Sequence, residues 1–178
     1  MKLVWVIACC FFIHIKSQKI YWKESLKLTW DNFKGKNKKL SDSSFVAYAN
    51  CGWEYKAITS SNPKARVKII IKTIFYEDKS WKNSERINDF VLLHEQKHYD
   101  VAELFVRKLR KEIAEKIITT RDYHLYFQNI HERISRAYKN FQNTYDKDTQ
   151  HGTNKEKQIE YNAIISAELK KLKNFQLN

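Results

Sequence analysis

INDFVLLHEQKHYDVAELFVRKL, residues 87–109, is the stretch on which the fold turns. Ile87, Val91, His94, His98, Val101, Phe105 and Leu109 recur at the three-and-four spacing of a helix face. Ile87 to Glu115 contains no glycine or proline, and Ser84 reads as the N-cap. Downstream, the period breaks near Thr119-Thr120. It resumes from Arg121 to Asn143, with Phe127, Ile130, Ile134, Ala137 and Phe141 on one stripe. Thr144 to Thr153 is polar, contains Gly152 and reads as a loop; Lys155 to Phe175 reads as a third helix. Upstream, the period is two. Phe45, Ala47, Ala49, Cys51, Trp53 and Tyr55 alternate with polar neighbours, and the β-branched run Arg66–Tyr76 follows a turn at residues 59–63. Leu26 to Trp30 is one more strand candidate, and residues 36–44 read as a loop. The expected class is α+β: a small N-terminal antiparallel sheet, then three helices.

Bulk numbers agree with one folded unit. The chain has 178 residues, 43% of them hydrophobic and 14% aromatic, which excludes a globally disordered chain. Three glycines and one proline leave long elements uninterrupted. Residues 1–17 have the form of an export signal. Lys2 precedes an apolar run, Leu3 to Ile15, too short to span a bilayer, and Lys16 ends it. Cleavage after Ser17 would leave a single domain, residues 18–178, secreted or periplasmic and without a stable membrane span. Val6-Ile7-Ala8-Cys9 resembles a lipoprotein box, but the apolar run continues well past Cys9, which argues against that anchor. Cys9 and Cys10 would leave with the signal, so Cys51 alone would remain and could form no internal disulfide.

The formal charge is +13, and signal removal would lower it only by Lys2 and Lys16. Such a surface suits an anionic envelope polymer. Its lysines are spread over every segment and no recognition motif accompanies them, so nucleic acid is not the expected partner.

Chemistry enters with His94-Glu95-Gln96-Lys97-His98, an H-E-x-x-H sequence in mid-helix. Four helical residues advance about 400°, so the two imidazoles lie about 40° apart on one face, one turn apart. Both can reach one tetrahedral Zn²⁺. Glu95 projects beside them, where it can act as general base toward a zinc-activated water and return the proton to a leaving amine. Chance produces about 0.01 such matches in a chain of this composition. The bland alternative, two surface histidines, fits poorly with a stripe that is otherwise apolar.

A third protein ligand is required, with water in the fourth place. Val101 and Leu104 stand where one known extension of the motif needs glycine and histidine, so that class is excluded. Glu132, Glu156, Glu160, His124, His131 and His151 remain available. His151 lies between the second and third helices, where a following glycine permits close approach. His131, beside an apolar stripe, suits a hydrogen-bonded core histidine. Asp100 and Glu103 fall on the opposite face from the ligands, and Glu103 with Arg107 forms an i,i+4 pair. Transition-state stabilisation needs a donor beside the metal. Tyr145, Tyr161, His124 and His131 qualify; Tyr145 is preferred because its segment also carries His151, although packing is the commoner role for a tyrosine.

Leu93 to Asp100, Glu103-Leu104 and Arg107 to Arg110 together resemble a bacterial family of predicted secreted zinc-dependent proteases, long filed as a domain of unknown function. Leu28 to Gly35 is similar to it too, as are Tyr145-Asp146 to Thr149, His151-Gly152 and Gln158 to Asn162. The resemblance covers nearly all of the chain after the signal. It implies a zincin-like zinc metallopeptidase domain acting on peptides or proteins, and His151 as the third ligand. Tyr161 stands where the family usually has tryptophan, a change expected to affect packing. The alternative function is a non-catalytic envelope protein with a structural or vestigial zinc site and a basic polymer-binding surface.

Overall fold

The computed structural model describes residues 18–36 and 46–177. The expected export signal, with Cys9 and Cys10, lies outside the described residues, as does most of the expected 36–44 loop. In chain order the elements are strands β1 (Lys19–Tyr21), β2 (Ala47–Tyr48), β3 (Cys51–Ile58), β4 (Lys68–Tyr76) and β5 (Trp81–Lys82). Helices α1 (Asp89–Lys116), α2 (Thr120–Thr149) and α3 (Lys155–Lys171) follow. This is the α+β order expected: small antiparallel sheets, then three helices.

α1 is the axis of the molecule. Every residue from His98 to Arg107 is buried, so the helix is enclosed on all sides rather than along one stripe. Asn88 caps it, its side chain accepting from the N–H groups of Phe90 and Val91. The start lies beyond Ser84 because Asn83 to Arg86 forms a turn of its own, with Arg86 N bonded to Asn83 O. One side of α1 packs Val101, Leu104, Phe105 and Leu109 against Ile71 of β4 and against Phe127, Ile130, Ile134 and Ile165 of the other helices. Each such fully buried aliphatic or aromatic side chain contributes about 1.5–3 kcal/mol.

The main sheet has the order β1-β4-β3, all antiparallel, with β4 central. β3 and β4 form the expected hairpin, in register from Cys51 opposite Phe75 to Ile58 opposite Lys68. A second cluster gathers Leu28, Phe33, Ala49, Phe75 and Tyr99 near the start of α1.

Three further sequence expectations change. The described part of the alternating run, from residue 46, holds two strands, β2 and β3, because the Ala49 N–H bonds the Glu95 carboxylate at 2.7 Å instead of a neighbouring strand. Leu26–Trp30 is not a strand. Leu28 is buried, its N–H bonds Gln96 Oε1 at 2.8 Å, and Trp30–Asn32 is a 3-10 turn. The supposed loop after Asn143 is the last two turns of α2, which holds Tyr145 and Thr149 inward and ends at Gln150 in the left-handed conformation.

Candidate metal centre

His94 and His98 leave α1 on the face that meets α2. Their Nε2 atoms are 3.0 Å apart. Asp146, in the last turn of α2, brings Oδ1 to 3.2 Å from His94 Nε2 and 2.8 Å from His98 Nε2. These three residues form a group able to hold a metal ion. Zinc bonds of about 2.0–2.1 Å at tetrahedral angles separate their donors by roughly 3.3–3.4 Å. The observed triangle is contracted from that by a few tenths of an ångström, and two imidazole nitrogens with one carboxylate oxygen are a donor set zinc accepts. The donors therefore fit the group.

Electrostatics point the same way. Three acceptor-type atoms facing one another need a positive occupant. Burial works against charge on His98, yet its hydrogen bond to the Asp146 carboxylate outweighs it and pushes the imidazole up to about 9. Burial likewise resists charge on Asp146, but the two histidines hold its carboxyl well below the usual range. A cation entering here displaces a proton.

Glu95 is buried next to this triangle. Burial raises its pKa, with His98 and His94 pulling the other way, and Ala49 N–H fixes one of its oxygens. The two residues inside the motif are structural: Gln96 binds Leu28 N and Asp100, and Lys97 Nζ lies 2.7 Å from Asp100 Oδ2. Asp100 also accepts from Trp22 Nε1, which ties the N-terminal segment to α1.

The triangle and Glu95 line a cavity of about 380 Å³, walled also by Val46, Tyr48, Cys51, Tyr138 and His151. Such a volume suits a ligand-sized group.

The structure brings His94, Glu95 and His98 together as expected. Asp146, passed over in a segment read as loop, completes the group. The expected third ligand, His151, stands in the same cavity, with Nδ1 3.6 Å from Asp146 Oδ1 and its side chain 42% exposed. Its position follows from three successive positive φ values, at Gln150, His151 and Gly152. Gly152 is required twice over: its φ is +82°, and a Cβ there would lie 2.9 Å from His94 Cβ and Cγ.

Tyr145 needs a correction. Its ring is fully buried and stacks on His94, with centroids 4.7 Å apart and planes 15° apart. Its hydroxyl donates to His94 O at 3.3 Å and accepts from Gln158 Nε2 at 2.6 Å. Those bonds commit the hydroxyl away from the cavity, so the residue supports His94 rather than facing the cavity. His131 is the hydrogen-bonded histidine expected, accepting from Trp53 Nε1 at 3.1 Å. Glu103 and Arg107 form the expected i,i+4 pair, and Glu103 is buried and accepts from Thr73, Arg107 and Arg110. Tyr161 takes up the packing role, its ring 5.3 Å from that of Tyr145 and its hydroxyl bonded to Asp148.

Residues 34–152 match the model of a family described as "Bacterial protein of unknown function (DUF922)". The matched span is well over half of the chain and includes all three residues of the triangle. No curated protein and no solved structure matches the chain. No described helix is long and apolar enough to cross a membrane.

Proposed function

This chain belongs to the bacterial DUF922 family, whose description gives no function, and we propose from the site itself that it is a zinc-dependent metallopeptidase working outside the cytoplasm. The observation that carries the proposal is the triangle of His94 Nε2, His98 Nε2 and Asp146 Oδ1, with the Glu95 carboxylate beside it in one cavity. Zinc bound there would supply a Lewis acid for a peptide carbonyl and acidify water. Glu95 does the proton work. One oxygen stays on Ala49 N–H, and the carboxylate takes a proton from water and hands it to the departing amine nitrogen. Its raised pKa brings it nearer the value at which a group can both accept and return a proton.

The test is metal content and peptide-library turnover of the purified chain. Glu95→Gln is expected to keep zinc and to lose about 10²–10⁴-fold in turnover. Wild-type turnover in that variant ends the peptidase reading.

A second reading has His151 on its side. An imidazole 3.6 Å from Asp146 Oδ1 could close the coordination shell and make a structural site in a non-catalytic envelope protein. His151→Ala separates the two. Lost zinc with no turnover in either chain supports the closed site, and retained turnover supports the open one.

A further inference from the structure

Each imidazole of the triangle turns its other nitrogen toward a glutamine, half-buried Gln142 for His98 and fully buried Gln158 for His94. His94 Nδ1 lies 2.9 Å from Gln158 Oε1, and His98 Nδ1 lies 2.8 Å from Gln142 Oε1. We infer that Gln142 and Gln158 are positioning residues that fix the tautomers of His98 and His94, so that both Nε2 lone pairs face the ion. The inference rests on the metal reading above.

The direction of each bond follows from groups that can only accept. Gln142 Nε2 lies 3.1 Å from the backbone carbonyl of His98, so the nitrogen is on that side of the amide and Oε1 faces the ring. The same Nε2 donates to Tyr138 Oη at 2.9 Å, whose own proton goes to Cys51 O at 3.1 Å. Gln158 is settled through Tyr145. The Tyr145 proton goes to the His94 carbonyl, so Tyr145 Oη accepts from Gln158 Nε2, which also donates to Asn162 Oδ1 at 2.8 Å. Each amide oxygen is then left to accept, and each ring must offer it an Nδ1–H. With that proton on Nδ1, Nε2 of a neutral ring is the ligand atom.

Two further features make this an arrangement rather than a coincidence. Gln158 is 0% exposed, and an amide buried that deeply is costly unless all its groups are paired. Tyr138, Gln142, Tyr145 and Asp146 succeed one another at helical spacing on α2, so one face delivers a ligand, an orienting amide and both tyrosines. An amide also orients a ring without adding charge, which leaves Asp146 as the only anion in the triangle.

The experiment compares two substitutions at each position in the full chain, read by zinc affinity in chelator competition. Gln142→Met and Gln158→Met remove the acceptor. Gln142→Glu and Gln158→Glu keep an acceptor and remove the donor. The Met variants are expected to lose about 10–100-fold in zinc affinity, and the Glu variants to stay within a few-fold of wild type. In the zinc-loaded wild type, the two imidazole N–H protons are expected as slowly exchanging NMR signals; each Met variant loses the one it exposes. Equal losses in the Met and Glu variants would overturn the inference, because the amides would then act through donation or packing. Unchanged affinity in the Met variants would overturn it as well. A wild-type chain that binds no zinc removes the metal reading itself, which is a different failure.

Discussion

α1 carries two buried polar clusters, about two turns apart, and they are built on opposite plans. Toward its C-terminal half, Glu103 accepts from Arg107 Nε at 2.9 Å, Arg110 Nη1 at 3.0 Å and Thr73 Oγ1 at 2.6 Å. The arginines go on to backbone carbonyls of Leu169, Phe175 and Ile71. Every charge there has a fixed partner within the chain. Toward the N-terminal half, His94, His98 and Asp146 turn three donor atoms on one point, where Asp146 faces imidazoles rather than arginines. A cluster with its cations built in is a structural joint. One that concentrates lone pairs beside a cavity could hold a metal ion, which makes it a candidate receptor for a cation.

The sharpest way to break this contrast is to remove the anion of the joint. Glu103→Gln leaves Arg107 and Arg110 buried beside each other without their carboxylate. A loss of about 3–5 kcal/mol in unfolding free energy is expected, equal with and without zinc. Urea denaturation checks it; a cost below ~1 kcal/mol, or one that zinc repairs, would show the two clusters are not different in kind.

The opposite behaviour is expected of the receptor. Zinc at a free concentration of 100 times its dissociation constant should add about 2.7 kcal/mol to wild-type stability. Asp146→Ala should abolish that increment while changing the metal-free chain much less. Differential scanning calorimetry with and without chelator reads both. An undiminished zinc increment in Asp146→Ala would remove the carboxylate from the ligand set and return attention to His151.

The smallest effect comes from outside both clusters. Burial pushes His131 below its ordinary value of 6.5, against a weaker pull from Glu132, and the neutral ring accepts from Trp53 Nε1. A base depressed in the folded state contributes stability that is complete above pH ~6.5 and is lost as pH falls through the folded value. The gap in thermal midpoint between wild type and His131→Phe should therefore narrow on acidification from pH 7 to 5, and a gap independent of pH would refute it.

The receptor was half legible in the sequence, for reasons that differ residue by residue. His94, Glu95 and His98 stand in a local motif on a periodic stretch, where one turn of helix fixes their relation. Asp146 has no local signature. It lies in Thr144–Thr153, whose polarity suggested a loop, yet nothing before Gly152 breaks a helix and the inward pair Tyr145 and Thr149 keeps helical spacing. Gln142 and Gln158 acquire meaning only once three helices are docked. Among the strands, the long hairpin was readable from its alternation. β1 was not, since three residues offer no period. The split of β2 from β3 was hidden because its cause, Glu95, comes 46 residues later.

Gly152 sets a last condition on how the centre comes into being. With its Cα pressed on the His94 ring and Asp146 less than two turns of chain before it, the stop of α2 is also the wall behind a ligand. As the polypeptide emerges N-terminus first, the H-E-x-x-H helix is complete long before that wall exists. Capture of an ion by these three donors would thus wait until about 36 further residues have been made and folded back.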